Sequence, residues 1–298
     1  MNVLSLFDGM SCGRIALEKA GIEVDNYYSS EIDKYAMQVA DKNYPQDSDK
    51  RLGSVIDLDE EYLKTLDIDI IIGGSPCQGF SLAGKQKGSS TKCGKDVTSL
   101  EDYLALKRMD FEFEGQSYLF WEFVRVWKAV QPKYFFLENV RVTKKWLPMF
   151  NEAMGVEPIM INSSLVSAQN RVRFYWTNIP DVSQPKDRGV VLRDILEDGI
   201  TEAFPKHRVD KFEETIRDNP KPSINGIIQL NDPSYSQQRC YSPDGKSPTL
   251  SAGHGGGGKE PSKIKLERPC ELREPKQESE CIHIADATDI NGHDSIKR

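Results

Sequence analysis

The residue of this chain best suited to chemistry is a cysteine at the end of a buried strand. Cys77 sits in Gly73-Gly74-Ser75-Pro76-Cys77-Gln78-Gly79-Phe80-Ser81, directly after Asp67-Ile68-Asp69-Ile70-Ile71-Ile72. That apolar, β-branched run reads as a strand buried in a parallel sheet. Open α/β sheets bind ligands outside the carboxyl ends of their strands, so the thiol stands where ligands bind. It is either a buried structural residue or a nucleophile. As a nucleophile it needs help, because a free thiol with a pKa of about 8.5 is only a few per cent thiolate at neutral pH. Histidine is the usual partner, yet His207, His254, His283 and His293 all lie beyond residue 180. A Cys-His hydrolase is therefore a poor fit.

Two other groups are better placed. Glu138, in Phe136-Leu137-Glu138-Asn139-Val140, is a carboxylate at a strand end, and Arg171 and Arg173, in Gln169-Asn170-Arg171-Val172-Arg173-Phe174, are expected on one face of a strand. Alone, such a glutamate is usually a cap or an ion-pair member, and such arginines usually face solvent. With Cys77 they make a nucleophile, a carboxyl group able to handle a proton, and two cations.

A ligand site is written nearer the start. Phe7-Asp8-Gly9-Met10-Ser11-Cys12-Gly13 links a first strand to a helix. Glycines in such a turn let the backbone approach a ligand at the helix N-terminus. The pattern is not GxGxxG, and on its own a tight structural turn explains it equally well. The next strand ends in Ser29-Ser30-Glu31-Ile32-Asp33. An acid about 20 residues after a glycine loop is where ribose hydroxyls are held. Loop and acid together favour an adenosine-bearing cofactor.

These groups must be positioned by regular elements. Strands are expected at Val3–Phe7, Tyr27–Ser30, Ile68–Ile72, Tyr134–Leu137 and Val172–Trp176, with helices at Arg14–Ala20, Lys34–Asn43 and Tyr118–Val130. Alternation at this spacing predicts an α/β fold with a doubly wound, mostly parallel sheet. Beyond Pro180 the sequence is rich in Pro, Gly, Lys and Asp, with turn chemistry such as Ser242-Pro243-Asp244-Gly245-Lys246 and no sustained period. We expect a catalytic domain over 1–180 and a smaller, loop-rich region over 181–298.

Composition narrows the class. The 298 residues are 38% hydrophobic and 29% charged, which supports a normal core and a soluble surface. No apolar run approaches the roughly 20 residues that span a bilayer, so no membrane partner is expected. Met1-Asn2-Val3-Leu4-Ser5-Leu6-Phe7 has no basic region like that of a signal peptide. The six scattered cysteines read as reduced thiols of a cytoplasmic protein. Cys270, Cys281 and His283 lack the short Cys-x2-4-Cys knuckle of structural zinc sites, so no metal is expected. The net charge of -7 argues mildly against nucleic acid, although a local basic face matters more than the sum.

Taken in order over residues 1–178, these motifs resemble those of the DNA (cytosine-5)-methyltransferase family, of phage and bacterial type. Phe7-Asp8-Gly9…Gly13 resembles its cofactor loop, and Glu31 its ribose-binding acid. Pro76-Cys77-Gln78 resembles its nucleophile motif, and Leu119-Phe120 lies in the helix bordering the adenine. Glu138-Asn139-Val140 matches Glu-Asn-Val, and Gln169-Asn170-Arg171-Val172-Arg173 matches Gln-x-Arg-x-Arg. Each motif is weak alone; the ordered set is highly specific.

The resemblance implies a Rossmann-like domain dependent on S-adenosylmethionine, followed by a target-recognition region, and double-stranded DNA as the partner. Phe7, Asp8, Gly9 and Gly13 would hold the cofactor, with Glu31, Ile32, Pro76 and Leu119 around it. Cys77 would attack C6 of a cytosine flipped out of the duplex, Glu138 would protonate N3, and Arg171 and Arg173 would contact O2 and the backbone. The segment from Cys77 to Gly115, with Lys85, Lys87, Lys92, Lys95, Lys107 and Arg108, would be a flexible closing loop that touches phosphates. The setting would be the cytoplasm of a bacterial or phage-infected cell, in restriction-modification, phage self-protection or regulation.

Two departures stand out. Where the family places an aspartate after the glycine ending its third strand, Gly53 is followed by Ser54. Lys246-Ser247-Pro248-Thr249-Leu250 resembles the motif after the target-recognition region, but the closing Gly-Asn-Gly or Gly-Asn-Ser element has no counterpart. Three accounts stay open: a longer protein, a second chain that supplies the element, or a catalytically degenerate DNA-binding remnant. Methylation of cytosine in tRNA is a further alternative.

Overall fold

The structure, a computed structural model, describes residues 1–76, 79–80, 89–196, 215–232, 239–248, 263–266 and 280–283, the last two stretches as backbone only. Cys77, Gln78, Lys85, Lys87 and Cys270 lie outside the described residues. Two compact units emerge: Met1–Ile161 with Val172–Ser183, and Asn162–Arg171 with Gln184–Arg298.

The first unit is built on a six-stranded sheet of β1 (Asn2–Leu6), β2 (Asn26–Ser30), β3 (Ile70–Gly73), β4 (Tyr134–Val140), β5 (Ile159–Asn162) and β6 (Val172–Thr177). Their order is β2-β1-β3-β4-β6-β5. β1 pairs in parallel with β2 and β3, and β3 with β4, while β6 runs antiparallel to β4. The mixed sheet matches the mostly parallel expectation, and the turnover comes at its β6 side.

Helices cover both faces, as parallel strands buried on two sides require. α1 (Cys12–Lys19) follows β1, and its Leu17 packs with Val3, Tyr27 and Ile70. α2 (Lys34–Asn43) begins where the Asp33 carboxylate accepts from the Tyr35 and Ala36 amides, at 2.9 and 2.8 Å. This satisfies two of the orphan donors of a helix start. α3 (Glu60–Lys64) is capped in the same way by Asp59.

The larger core lies on the opposite face. There Leu4, Leu6, Ile71, Leu137 and Trp176 meet α5 (Leu119–Val130) and α6 (Leu147–Met154). Phe150 lies between Phe120 and Trp176, with ring centroids 4.0 and 5.0 Å away. Truncating such a ring costs about 3–5 kcal/mol. α6 stops at Gly155, whose φ of +69° is the left-handed conformation favoured at a helix end.

Part of the expected flexible closing loop is regular structure. Residues 89–115 are not loose chain: they contain α4 (Leu100–Arg108), with Tyr103 and Leu106 buried and Ser99 capping the Asp102 amide. Single bridges join Ser90 to Asp96 and Thr91 to Phe113. Lys92 pairs with Glu112, and Lys107 with Glu122, both at 2.6 Å. Those two lysines hold protein carboxylates, where phosphate contacts were expected.

In the second unit, β7 (Cys240–Tyr241), β8 (Lys263–Leu266) and β9 (Glu280–His283) form a three-stranded sheet in that order. Lys246 is buried, and its ammonium donates to the carbonyls of Ser164 (2.7 Å), Ser167 (3.2 Å) and Val190. Among the described residues, no helix is long and apolar enough to cross a membrane.

Candidate active site

The loop after β1 is held in an unusual backbone path. Phe7, Gly9 and Ser11 all have positive φ, at 57°, 59° and 61°. For a residue with a Cβ this conformation costs about 1–2 kcal/mol, so Phe7 and Ser11 need compensation. Asp8 supplies it from a nearly buried position. Its carboxylate accepts from the Tyr27 and Ser11 hydroxyls, both at 2.6 Å, and its amide donates to the Ser30 carbonyl. Burial above all, then the charge and hydrogen bond of Asp8, push the Tyr27 hydroxyl well above its ordinary pKa.

Glu31 closes the next strand end. Its carboxylate accepts three backbone N–H groups at 2.8 Å: Gly9 on one oxygen, Ile32 and Asp33 on the other. A carboxylate has about four acceptor positions, so the oxygen facing Gly9 keeps capacity for a ligand hydroxyl. A Cβ on Gly9 would meet nothing within 4 Å, so the loop leaves open space beside that carboxylate. These features fit an adenosine-bearing group. Gly13 lines the same cavity as Phe7 and Asp8, and a Cβ there would collide with Ile72 Cδ1, so its lack of a side chain also lets α1 come close to β3. Ile32 is 71% exposed, Pro76 is half-buried, and Leu119 opens α5 partly covered by the main core.

The second cluster forms where β3 and β4 end side by side. Ile72 pairs with Phe136 and Gly73 with Leu137, which sets Gly74 beside Glu138 and Ser75 beside Asn139. A Cβ on Gly74 would stand 3.0 Å from Glu138 Oε2, so glycine leaves the carboxylate its room. Glu138 is anchored by Arg173, whose Nε lies 2.8 Å from Oε1. The two are diagonal neighbours on one face of the antiparallel β4–β6 ladder.

Asn139 points to the other face and is 1% exposed. Its Nδ2 donates to the Ser75 carbonyl and hydroxyl at 3.3 and 3.2 Å. Beyond Cys77, the Gly79 amide donates to Ser117 Oγ at 2.8 Å, and Phe80 is fully buried against Phe150 and Trp146. The chain is thus fixed on both sides of Cys77, which itself lies outside the described residues.

A cavity of about 540 Å³ runs from Phe7, Asp8 and Gly13 past Gly73 and Gly74 to Phe136 and Glu138. That size suits a small-molecule site. Arg171 is carried by a different part of the chain from Arg173. β6 begins at Val172, and Arg171 belongs to the second unit, where its amide donates to Asn162 Oδ1 at 2.9 Å. The two arginines therefore do not share a strand, and Arg173 is the one paired with Glu138 in the first unit. Sequence reasoning also missed Asp8's bonds to Tyr27 and Ser11, and the anchors Asn139 and Ser117. The one available signal was polar residues beside the glycine and Pro-Cys motifs.

A doubly wound sheet with a glycine loop after its first strand and an acid ending its second defines a Rossmann-like, nucleotide-type binding domain. Within that class, the profile of the family described as C-5 cytosine-specific DNA methylase matches residues 1–239, and the chain belongs to that family. It is 25% identical to the orphan methyltransferase M.Rho11sI of Bacillus phage rho11s, over 100% of this chain and 64% of that protein. It is 28% identical to the type II methyltransferase M.HhaI of Haemophilus parahaemolyticus, over 86% of this chain and 75% of that one. The match to the orphan methyltransferase M.SPRI of Bacillus phage SPR, at 33% identity, takes in 47% of this chain and 26% of that protein. The chain thus spans less than two thirds of the length of both phage relatives.

Solved structures share the fold. The S. pombe Dnmt2 methyltransferase aligns with a TM-score of 0.58 at 15% identity, covering 91% of this chain and 78% of its own. The Entamoeba histolytica methyltransferase EhMeth gives 0.58 at 13%, covering 95% and 82%.

Proposed function

We propose that this chain transfers the methyl group of S-adenosylmethionine to C5 of a cytosine in double-stranded DNA. The observation that carries this reading is the Arg173–Glu138 pair beside Gly74, adjoining a backbone pinned on both sides of Cys77. A carboxyl group on β4 and a nucleophile in the segment that follows β3 are what addition to a pyrimidine ring needs.

The donor would be held by the backbone of the Phe7–Gly13 loop and by Glu31, with Ile32, Pro76 and Leu119 bordering it. When bound, S-adenosylmethionine supplies an electrophilic methyl group. Cytosine C5 is too weak a nucleophile to take that group unaided. The Cys77 thiolate adds to C6, forming an S–C6 bond and moving the C5–C6 π electrons to C5. Glu138 hydrogen-bonds and protonates N3, so negative charge does not build up on the ring. Arg173 orients Glu138, and Arg171 and Arg173 favour the thiolate and bind O2 and the adjoining backbone. Once C5 is methylated, loss of its proton returns the electron pair to the ring and expels Cys77 from C6.

The base must leave the duplex to reach Cys77, at a cost of a few kcal/mol. We assign target recognition to the loops of roughly 181–245, through base edges in the major groove.

The test is covalent trapping. DNA copied with 5-fluoro-2′-deoxycytidine carries fluorine where the proton must leave, so the reaction stops with Cys77 attached. The expected result is a denaturant-resistant protein–DNA adduct that requires S-adenosylmethionine and vanishes in Cys77→Ser. A wild-type chain that binds both ligands and forms no adduct contradicts the mechanism.

A further inference from the structure

α5 carries two charged residues in its buried stretch, and neither belongs to the proposed reaction. Glu122 is 0% exposed and Arg125 is 8% exposed. Buried charges are tolerated when paired and fully hydrogen-bonded. Both conditions are met. Glu122 Oε1 accepts from Lys107 Nζ at 2.6 Å and from the Tyr103 hydroxyl, and Oε2 accepts from Arg125 Nε at 2.7 Å. Arg125 also reaches Glu60 at 2.8 Å. The cluster of two carboxylates and two cations is neutral overall.

What the cations do with their remaining donors is informative. Arg125 Nη2 donates to the Val55 carbonyl at 3.0 Å and Nη1 to the Leu58 carbonyl at 3.3 Å. Lys107 Nζ donates to the Ile56 carbonyl at 3.3 Å. All three carbonyls belong to the turn that follows Gly53-Ser54. That turn is tied to the cofactor rim at its other end: the Leu52 amide donates to the Ser29 carbonyl, and Ser30 Oγ donates to the Gly53 carbonyl at 2.8 Å. Ser30 immediately precedes Glu31. The turn is therefore suspended between the strand end bearing Glu31 and the helix that Leu119 opens.

We propose that Glu122, Arg125 and Lys107 are positioning residues for the adenosyl end of the methyl-donor site, acting through the Val55–Leu58 turn that they hold. The proposal rests on the reading of this chain as an S-adenosylmethionine-dependent enzyme. Charge-assisted bonds to carbonyls are strong and directional, so they fix the turn better than its short apolar contacts alone could. Glu122 keeps both cations aimed, because it is the carboxylate that Lys107 and Arg125 share. Burial alone would lower the Arg125 pKa, but its bonds to Glu60 and Glu122 more than offset this and keep it charged.

The test compares variants of the full chain by donor binding and by steady-state methyl transfer. Glu122→Met with Arg125→Met removes both charges at similar volume, a change that buried ion pairs often tolerate. It should raise the dissociation constant and KM for S-adenosylmethionine at least tenfold. The KM for DNA and kcat at saturating donor should hold within twofold, with folding checked by circular dichroism. Lys107→Met, which leaves Glu122 paired with Arg125, should raise the donor KM about threefold and serves if the double variant does not fold. Tyr103→Phe removes a bond to Glu122 but none to the turn, and should leave the donor KM unchanged. A folded double variant that binds donor like wild type overturns the proposal, as does Tyr103→Phe shifting the donor KM as far as Lys107→Met. A wild-type chain that binds no S-adenosylmethionine overturns both this proposal and the reading beneath it.

Discussion

Asn139 donates through one amide nitrogen to both the carbonyl and the hydroxyl of Ser75, two residues ahead of Cys77. Its own side-chain oxygen accepts from the Val140 amide at 2.8 Å. The residue after Glu138 therefore ties β4 to Ser75, in the backbone that leads toward Cys77.

Replacing Asn139 with alanine should separate positioning from binding. It leaves Ser75 without its partner in a buried site, a loss of about 1–3 kcal/mol in stability. A shift of the nucleophile by about 1 Å can cost a hundredfold in rate. Asn139→Ala should lower kcat by roughly that order, with the donor dissociation constant unchanged within about twofold. Stopped-flow or single-turnover transfer together with calorimetric titration would check this. Equal loss in both quantities would show that Asn139 merely supports the fold.

Glu31 should behave in the opposite way. Removing a charged acceptor from a ligand hydroxyl costs about 1.5–3 kcal/mol, or roughly ten- to a hundredfold in affinity. Glu31→Gln should weaken S-adenosylmethionine binding by that amount and leave kcat at saturating donor near wild type. An unchanged dissociation constant would remove Glu31 from the donor site.

The Tyr27–Asp8 bond gives the protein an alkaline limit. The folded pKa of Tyr27 lies above its unfolded value of about 10. A raised folded pKa means stability that is fully present below the unfolded value and is lost as pH rises beyond it. Tyr103, raised by burial first and then by its hydrogen bond to Glu122 and that residue's charge, acts in the same direction. Urea unfolding should show stability falling above about pH 10. The decline should be shallower in Tyr27→Phe, although that variant should start less stable at neutral pH because Asp8 loses a partner. A wild-type curve flat to pH 11 would rule this out.

Much of the framework can be read from runs of residues. The apolar stretch Val3–Phe7 marks β1, and Lys34–Asn43 coincides with α2. Glu138 could be placed near a strand end because Tyr134–Leu137 is a continuous aromatic and apolar run, which β4 extends to Val140. The helix inside the expected closing loop was hidden for a physical reason. Leu100–Arg108 is rich in charge, and its burial rests on Tyr103 and Leu106 amid Gly, Ser and Lys. The direction of β6 was equally hidden, since an apolar run does not encode whether its partner is parallel. Glu122 and Arg125 were visible only as charges among Phe, Trp and Val. Their partners lie up to 70 positions away, and no local pattern reports them. Asn139 and Ser75 face one another only because β3 and β4 pair in one register.

The central claim is that this chain methylates cytosine C5 in DNA with Cys77 as the nucleophile and Glu138 as its acid. The direct measurement is to incubate the purified chain with S-adenosylmethionine and unmethylated duplex DNA, then map 5-methylcytosine at single-base resolution by bisulfite or nanopore sequencing. The account predicts 5-methylcytosine confined to one short recurring sequence, abolished by Cys77→Ser and reduced at least a hundredfold by Glu138→Gln. Absence of 5-methylcytosine in DNA from a folded chain that binds the donor, or methylation that survives Cys77→Ser, would contradict it.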